Sequence, residues 1–411
     1  MKILLINSVC GIGSTGKIVS KIANNYLDNG NECVVAYGRY NAPKECAAYS
    51  KKICTSLEVK INGVKARILD NEGFNAKKST KRFLDWVEKY NPDVIWIHNL
   101  HGYYINIELL FNWLKKHENI NVKWTLHDCW AFTGHCAYFS YVNCNKWTEG
   151  CSKCIQKYKY PKSIFFDNSS KNYEMKKKMF SGIKNMELIV PSKWLEKLVK
   201  NSFLGVYKIS IVKNSIDKNI YKVSNKNYFD KFNINNKIIL LGLANVWEER
   251  KGLYDFYKLS QMLNNNYVIV LVGLEKKQIN KIEKKISNVK MVSSINGISV
   301  FEKITEQENN NDSINKDDSQ VFIKVNPSVE NVYRLLMKKE PIYNNKFSIN
   351  KLICIERTNN QIELANIYSS ADYYLHLSYE DNYPTTCLEA KACGTSIILY
   401  DCCGNSETID D

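Results

Sequence analysis

Short apolar strand patterns alternate with amphipathic helical patterns along most of this chain, and no other feature narrows the fold so far. KILLIN leads to the helical stretch IVSKIANNYLDNG and the strand ECVVAYGRY, and KSTKRFLDWVEKY, PDVIWIHNL, IELLFNWLKKH and VKWTLHD continue the alternation. The rhythm returns in MELIVPS, KWLEKLVKNSF and ISIVKN, and again in KIILLGLAN, LYDFYKLSQML, NYVIVLVG and KQINKIEKKI. Such an order predicts an α/β protein of parallel, doubly wound sheets, whose ligands bind beyond the carboxyl ends of the strands. At 411 residues the chain is too long for one ordinary core, so two domains are expected. The polar stretch DKNIYKVSNKNYFDKF is the expected crossing, giving domains over 1–220 and 221–411.

Composition removes several function classes. No apolar run reaches the roughly 18 residues of a membrane span. MKILLINSV has too short an apolar core for a signal peptide and reads as a first strand. A cytoplasmic protein is therefore expected, with its 14 cysteines reduced or bound to metal. The net charge is +15, and Lys146 to Lys200 holds 13 lysines against 5 acidic residues. A surface of that kind meets nucleic acid, anionic lipid or a phosphorylated substrate. Nucleic acid is set aside because no nucleic-acid motif is present; a solvated lysine face is the plain alternative in a chain rich in Lys, Asn and Ile.

Four places carry chemistry. Gly11-Ile12-Gly13-Ser14-Thr15-Gly16-Lys17 follows the first strand. As a dinucleotide fingerprint it lacks the acidic residue at the end of the next strand, and as a P-loop it has Ile18 where Ser or Thr would hold magnesium. What remains is a glycine turn, Gly11 and Gly13, whose backbone approaches an anion or a sugar. His98, His101, His127 and Asp128 all fall at strand tips, where each lone histidine is as readily a packed residue; His127 followed by Asp128 is the strongest pair. The Cys-rich loop 129–154 presents Cys136, Cys144, Cys151 and Cys154, closing on C-x-x-C. Structural zinc is expected there, with packed or redox-active thiols as the alternatives.

The fourth place is SYEDNYPTTCLEAKACG, Ser378 to Gly394, between two apolar runs. Tyr383-Pro384-Thr385-Thr386 suits a first helical turn, whose free N–H groups and dipole favour a phosphate. Asp381 and Glu389 would then meet the neutral hydroxyls of a ligand; a capped helix with two solvated acids is the plain alternative. Upstream, Arg250 and Lys251 lie at a strand-to-helix turn where cations would face a diphosphate, with plain surface charge as the alternative. Residues 293–350 form the least regular part, an insert in the second domain. Within it EQENNNDSINKDDS reads as a flexible loop and VFIKVNPSVENVYRLLMKKEPIY as a strand and a helix.

Together the glycine turn, TLHD with WAFTGHC, IVPSKWL, VKNSID, ERKG, RTNNQIELANIYSSAD and EDNYPTTCLEAKACG resemble the retaining GT-B glycosyltransferases of family 4, in the bacterial branch that builds capsule and exopolysaccharide. The resemblance implies two facing Rossmann-like domains, the first on the acceptor side and the second holding a nucleotide-diphosphate sugar. It maps the donor sugar to Asp381, the ribose to Glu389, and the diphosphate to the amides near Thr385 and Thr386 with Lys251 and Arg250. It puts His127 near the reacting sugar. No catalytic metal and no protein nucleophile are implied. It further implies a saccharide or lipid-linked acceptor at the inner membrane face, where segment 146–200 would dock. Asp381 stands for the usual Glu, Asn245 for a common donor-binding Arg, and Ser215 for a Gly. The family pattern continues beyond Asn405-Ser406-Glu407 into helices over the second sheet, so the second domain reads as truncated.

Overall fold

A computed structural model of the chain describes residues 1–225, 227–232, 234, 237–286, 289–303, 320–338 and 351–410. The chain divides into two compact units, Met1–Asn214 and Ser215–Asp411. Residues of the polar stretch expected as the crossing belong to the second: Tyr221, Phe229 and Ile234 are buried in its core, and Tyr228 N–H donates to Ser370 Oγ at 2.8 Å.

In the first unit the strands are β1 (Lys2–Asn7), β2 (Glu32–Tyr37), β3 (Ser50–Lys52), β4 (Val94–Ile97), β5 (Asn121–Thr125), β6 (Met186–Val190) and β7 (Lys208–Ile211). The helices are α1 (Gly13–Asp28), α2 (Ser56–Leu69), α3 (Lys77–Tyr90), α4 (Ile107–Leu114), α5 (Ser169–Phe180) and α6 (Lys193–Lys200). Among the described residues the sheet runs β3-β2-β1-β4-β5-β6-β7, parallel throughout. Successive side chains of a strand point to opposite faces. Leu4 and Ile6 accordingly enter the core under α3 and α4, while Ile3 and Leu5 enter the one under α1. Strand order reverses between β1 and β4, so the glycine turn after β1 and His98 after β4 flank the switch point, where open α/β sheets bind ligands.

The second unit contains β8 (Ile238–Leu243), β9 (Tyr267–Leu274), β10 (Val289–Ile295), β11 (Ile298–Lys303), β12 (Phe322–Val325), β13 (Lys351–Glu356), β14 (Tyr373–His376) and β15 (Ser396–Tyr400). Its helices are α7 (Leu253–Met262), α8 (Lys276–Ile279), α9 (Ile282–Lys285), α10 (Val329–Lys338), α11 (Gln361–Ser369) and α12 (Thr385–Ala392). The order is β10-β11-β13-β9-β8-β14-β15-β12. Here the switch lies between β8 and β14, which pair in parallel. Apolar side chains cover both faces, Leu240 and Leu375 on one, Leu241 and Tyr374 on the other.

Three elements depart from the sequence reading. KQINKIEKKI forms two short helices, α8 and α9, because the chain turns at Asn280–Lys281. The sheet is not wholly parallel: β10 and β11 form an antiparallel hairpin, with β11 also antiparallel to β13. Asn296 (φ 52°) and Gly297 (φ 76°) make its turn, the left-handed pair that suits the twist of a two-residue hairpin. The supposed insert therefore supplies sheet edges on both sides, since β12 pairs with β15. The strand and helix expected in VFIKVNPSVENVYRLLMKK are β12 and α10, whereas the loop expected over EQENNNDSINKDDS lies outside the described residues. The third departure is α2, where no helix is expected.

Candidate active site

In the second unit two strand tips bring distant charges together. Gly252, at φ +71°, lets the turn after β8 lie against the end of β14; a Cβ there would meet the Leu377 carbonyl oxygen at 2.1 Å. The backbone fixes the contact, with Tyr379 N–H donating to Arg250 O at 2.9 Å. Lys251 Nζ forms a short ion pair with Asp381 Oδ2. Arg250 is buried; it donates from Nε and Nη2 to Glu248 Oε1 at 3.2 and 2.8 Å and from Nη1 to the Glu380 carbonyl. His376 ends β14, its Nε2 3.6 Å from Asp381 Oδ2.

Burial alone would raise the Asp381 carboxyl, but Lys251, then Arg250 and His376, outweigh it and hold it below the usual carboxylate range. Burial lowers Lys251, against the pull of Asp381, and lowers His376 to about 4. The site thus gathers two cations, Arg250 paired with Glu248 and Lys251 paired with Asp381, beside a neutral His376. Next to it, α12 begins at Thr385 after Pro384, its positive dipole end at the loop. Glu389 lies one turn further in, where Tyr368 OH donates to its Oε2 at 3.0 Å. Tyr383 is buried in the connection, Thr386 hydrogen-bonds the Tyr374 hydroxyl, and Asn245 is exposed in the bend after β8.

In the first unit the tips of β4 and β5 hold a second polar cluster. His98 Nδ1 and His127 Nε2 are 3.0 Å apart, one donating to the other, with the rings stacked. Desolvation keeps both neutral, His127 at about 4 and His98 well below its ordinary value. Asp128 turns to a different histidine: its Oδ2 is 2.8 Å from His101 Nε2, and its Oδ1 accepts Trp130 N–H at 2.9 Å. The other nitrogen of His101, Nδ1, is 2.7 Å from Tyr160 OH. His98, His101, His127, Asp128 and Trp130 line one small open cleft. Gly11 packs so closely that a Cβ would meet Cys46 Sγ and Pro43 Cδ at 2.8 Å, whereas Gly13 has nothing within 4 Å and presents open backbone.

Sequence spacing does not reveal Tyr160, His376 or the buried Lys176. Lys176 Nζ donates to Trp130 O at 2.7 Å and Thr133 O at 3.1 Å, holding the loop that follows Asp128. In a helix of lysines nothing marks it. His376 has one signal, a lone imidazole closing an apolar strand.

The zinc expectation is corrected. Among the described residues no group of three or more His, Cys, Asp or Glu side chains is placed to hold a metal ion. Cys136 and Cys154 share a hydrogen bond that raises the first thiol well above its ordinary value and lowers the second to about 7. Cys151 Sγ instead accepts Gly134 N–H at 3.2 Å. Cys144 lies only partly buried beyond the left-handed Asn143. Aromatic packing of Phe132, Phe139 and Trp147 accompanies the thiols in this loop.

Residues 344–411, which include the Asp381 loop and α12, match the model of the family Glycosyl transferases group 1. The curated relative WcaC of Escherichia coli (strain K12), named for glycosyl transfer in colanic acid biosynthesis, is 30% identical over 132 residues, 31% of this chain. The match spans 32% of that relative's length. Among solved structures, sucrose-phosphate synthase of Thermosynechococcus elongatus superposes with a TM-score of 0.57 at 13% identity, covering 98% of this chain and 82% of that one. HepE of Anabaena, in complex with UDP and glucose, gives 0.54 at 12% identity over 99% and 82%. These likenesses establish the fold: two parallel-sheet α/β domains, as in GT-B glycosyltransferases.

Proposed function

We propose that the chain transfers a sugar from a nucleotide-diphosphate sugar to a saccharide or lipid-linked saccharide acceptor, retaining the anomeric configuration. The observation that carries this reading is the meeting of Arg250, Lys251 and Asp381 at the switch point of the second sheet, beside the first turn of α12. The cations and a helix N-terminus there suit charge building on a departing diphosphate. Because HepE is described with UDP and glucose, UDP is the nucleotide we propose.

In this reading Lys251, Arg250 and the amides near Thr385 and Thr386 hold the diphosphate, and Lys251 leaves Asp381 partly free to bind hexose hydroxyls. Glu389 takes the ribose. The acceptor hydroxyl attacks the anomeric carbon from the leaving-group face as the sugar–phosphate bond breaks, and its proton passes to the departing phosphate oxygen. His127, neutral by desolvation, acts at the reacting sugar; Asp128 works one step removed, by orienting His101. The step uses no metal ion. On the acceptor side we include peripheral contact with an anionic membrane face, supported by the lysine surplus of 146–200.

Titration with UDP and assay of UDP release from a panel of UDP-sugars test the proposal. Wild-type protein should bind saturably and release UDP only with acceptor, whereas Glu389→Ala should lose at least about tenfold in affinity, as removal of a charge-assisted hydrogen bond does. Saturable binding with no release in any acceptor mixture would instead make the chain a nucleotide-sugar-binding subunit.

A further inference from the structure

Helix α2 is built inside out. At about 100° per residue, Leu57, Ile61, Val64 and Ile68 fall within about 60° of one another, and the small residues Gly63 and Ala66 with Asn62 lie opposite. The small side faces the protein: Asn62, Gly63 and Ala66 are buried, and a Cβ on Gly63 would already stand 3.2 Å from the Tyr103 ring. The large side faces solvent, with Leu57 66%, Ile61 47% and Val64 55% exposed. An ordinary surface helix does the reverse.

A second segment extends this face. Ile164 N–H donates to Arg67 O at 2.7 Å and Phe166 N–H to Ile68 O at 3.3 Å, while Asn168 Nδ2 donates to Leu69 O at 2.6 Å. Residues 163–168 thus satisfy the last carbonyls of α2 and lie along its end. They bring Phe165 and Phe166, 66% and 56% exposed, beside the apolar stripe. A contiguous patch of this kind marks an interaction surface.

Charge identifies the occupant. Lys60 and Arg67 flank the stripe on one side and Lys65 on the other, all exposed. Lys153, Lys157, Lys159 and Lys162 accompany the second segment, and residues 153–166 contain no acidic residue. Apolar and aromatic side chains rimmed by Lys and Arg match the headgroup–acyl boundary of an anionic bilayer. On the Lys65 flank the acidic Glu58 is paired with Arg82, so the rim keeps a cationic excess that a protein partner would not need. We infer that the exposed face of α2 with residues 155–166 docks this chain on an anionic lipid surface. The inference rests on the membrane-side part of the proposed function and locates it. Tyr160, within the docking segment, hydrogen-bonds His101, so the lipid face adjoins the polar cluster where an acceptor would arrive.

Co-sedimentation of the full chain with vesicles of phosphatidylcholine, alone or mixed with phosphatidylglycerol, tests the inference, with light scattering of the same samples without lipid. Wild-type protein should sediment with the mixed vesicles, at least about tenfold less with the neutral ones, and less at high salt. Ile61→Gln/Val64→Gln, Phe165→Ser/Phe166→Ser and Lys159→Glu/Lys162→Glu should each lower binding by about tenfold or more. Their melting temperatures and UDP binding should stay at wild-type values. The inference is overturned if wild-type protein ignores anionic vesicles, if the variants bind as wild type does, or if the wild type is a dimer that the apolar variants dissociate without any vesicle binding. UDP titrations run without lipid, so loss of the donor reading would show there and leave the vesicle result standing.

Discussion

At the scale of single residues the account rests on Lys251 and Asp381, which are 130 positions apart in sequence. Spacing alone marks each as a charge at a strand tip, but only the order of β8 and β14 makes them partners. Lys251→Ala strands a half-buried carboxylate. The cost should be about 2–4 kcal/mol, below a fully buried pair because Lys251 keeps some exposure. Adding Asp381→Asn should recover most of that stability without restoring UDP binding. Thermal melts and UDP titration of both variants check this, and a Lys251→Ala protein as stable as wild type would remove the pair from the account. His376 gives a pH test. Its value is about 4 in the fold against an ordinary 6.5, so above pH 6.5 it is neutral folded or unfolded and its full contribution is present. As pH falls from 6.5 towards 4 the unfolded chain takes up the proton first, and stability drops by at most about 3 kcal/mol. Urea unfolding between pH 7 and 4 should show a shallower acid limb in His376→Gln, partly retained because His98 and His127 titrate in the same direction. Parallel limbs would mean that His376 is not held neutral.

At the scale of elements, most helices and strands near the sites were legible because their apolar residues recur at helical spacing or in unbroken runs. Two that were not legible left short signals. Thr55 and Glu58 form a capping box at the start of α2, the S/T-x-x-E pattern, and Asn296-Gly297 makes the β10–β11 turn. The cysteine loop shows what C-x-x-C spacing leaves open: Cys136 and Cys154 share a hydrogen bond, while Cys151 accepts from Gly134 N–H instead. Turns also separate two kinds of glycine. Gly252→Ala forces a Cβ onto Leu377 O and should cost about 1–3 kcal/mol through strain, displacing Arg250 and Lys251 and weakening UDP binding. Gly13→Ala meets no neighbour, so its left-handed φ alone should cost about 1–2 kcal/mol, with UDP affinity unchanged. Melts and titrations of the two variants separate these effects; equal loss of UDP affinity in both would detach the Gly252 turn from the donor site.

At the scale of the whole molecule, alternation of strands and helices foretold two doubly wound sheets, and topology then does the work that spacing cannot. The first sheet reverses direction at β1/β4 and the second has a reversal at β8/β14, and a polar cluster lies beside each of these. What stayed hidden was long-range: which strand neighbours which, and that an apparent insert supplies edge strands. The central claim is that Arg250 and Lys251, in the turn after β8, drive transfer from a UDP-sugar. The rate of acceptor-dependent UDP release by wild-type protein and by folded Lys251→Ala, across a UDP-sugar panel, tests it most directly. The account predicts turnover by the wild type with at least one donor and a fall of about a hundredfold or more in the variant, the loss expected on removing one group that stabilises transition-state charge. Turnover by the variant at the wild-type rate would contradict it.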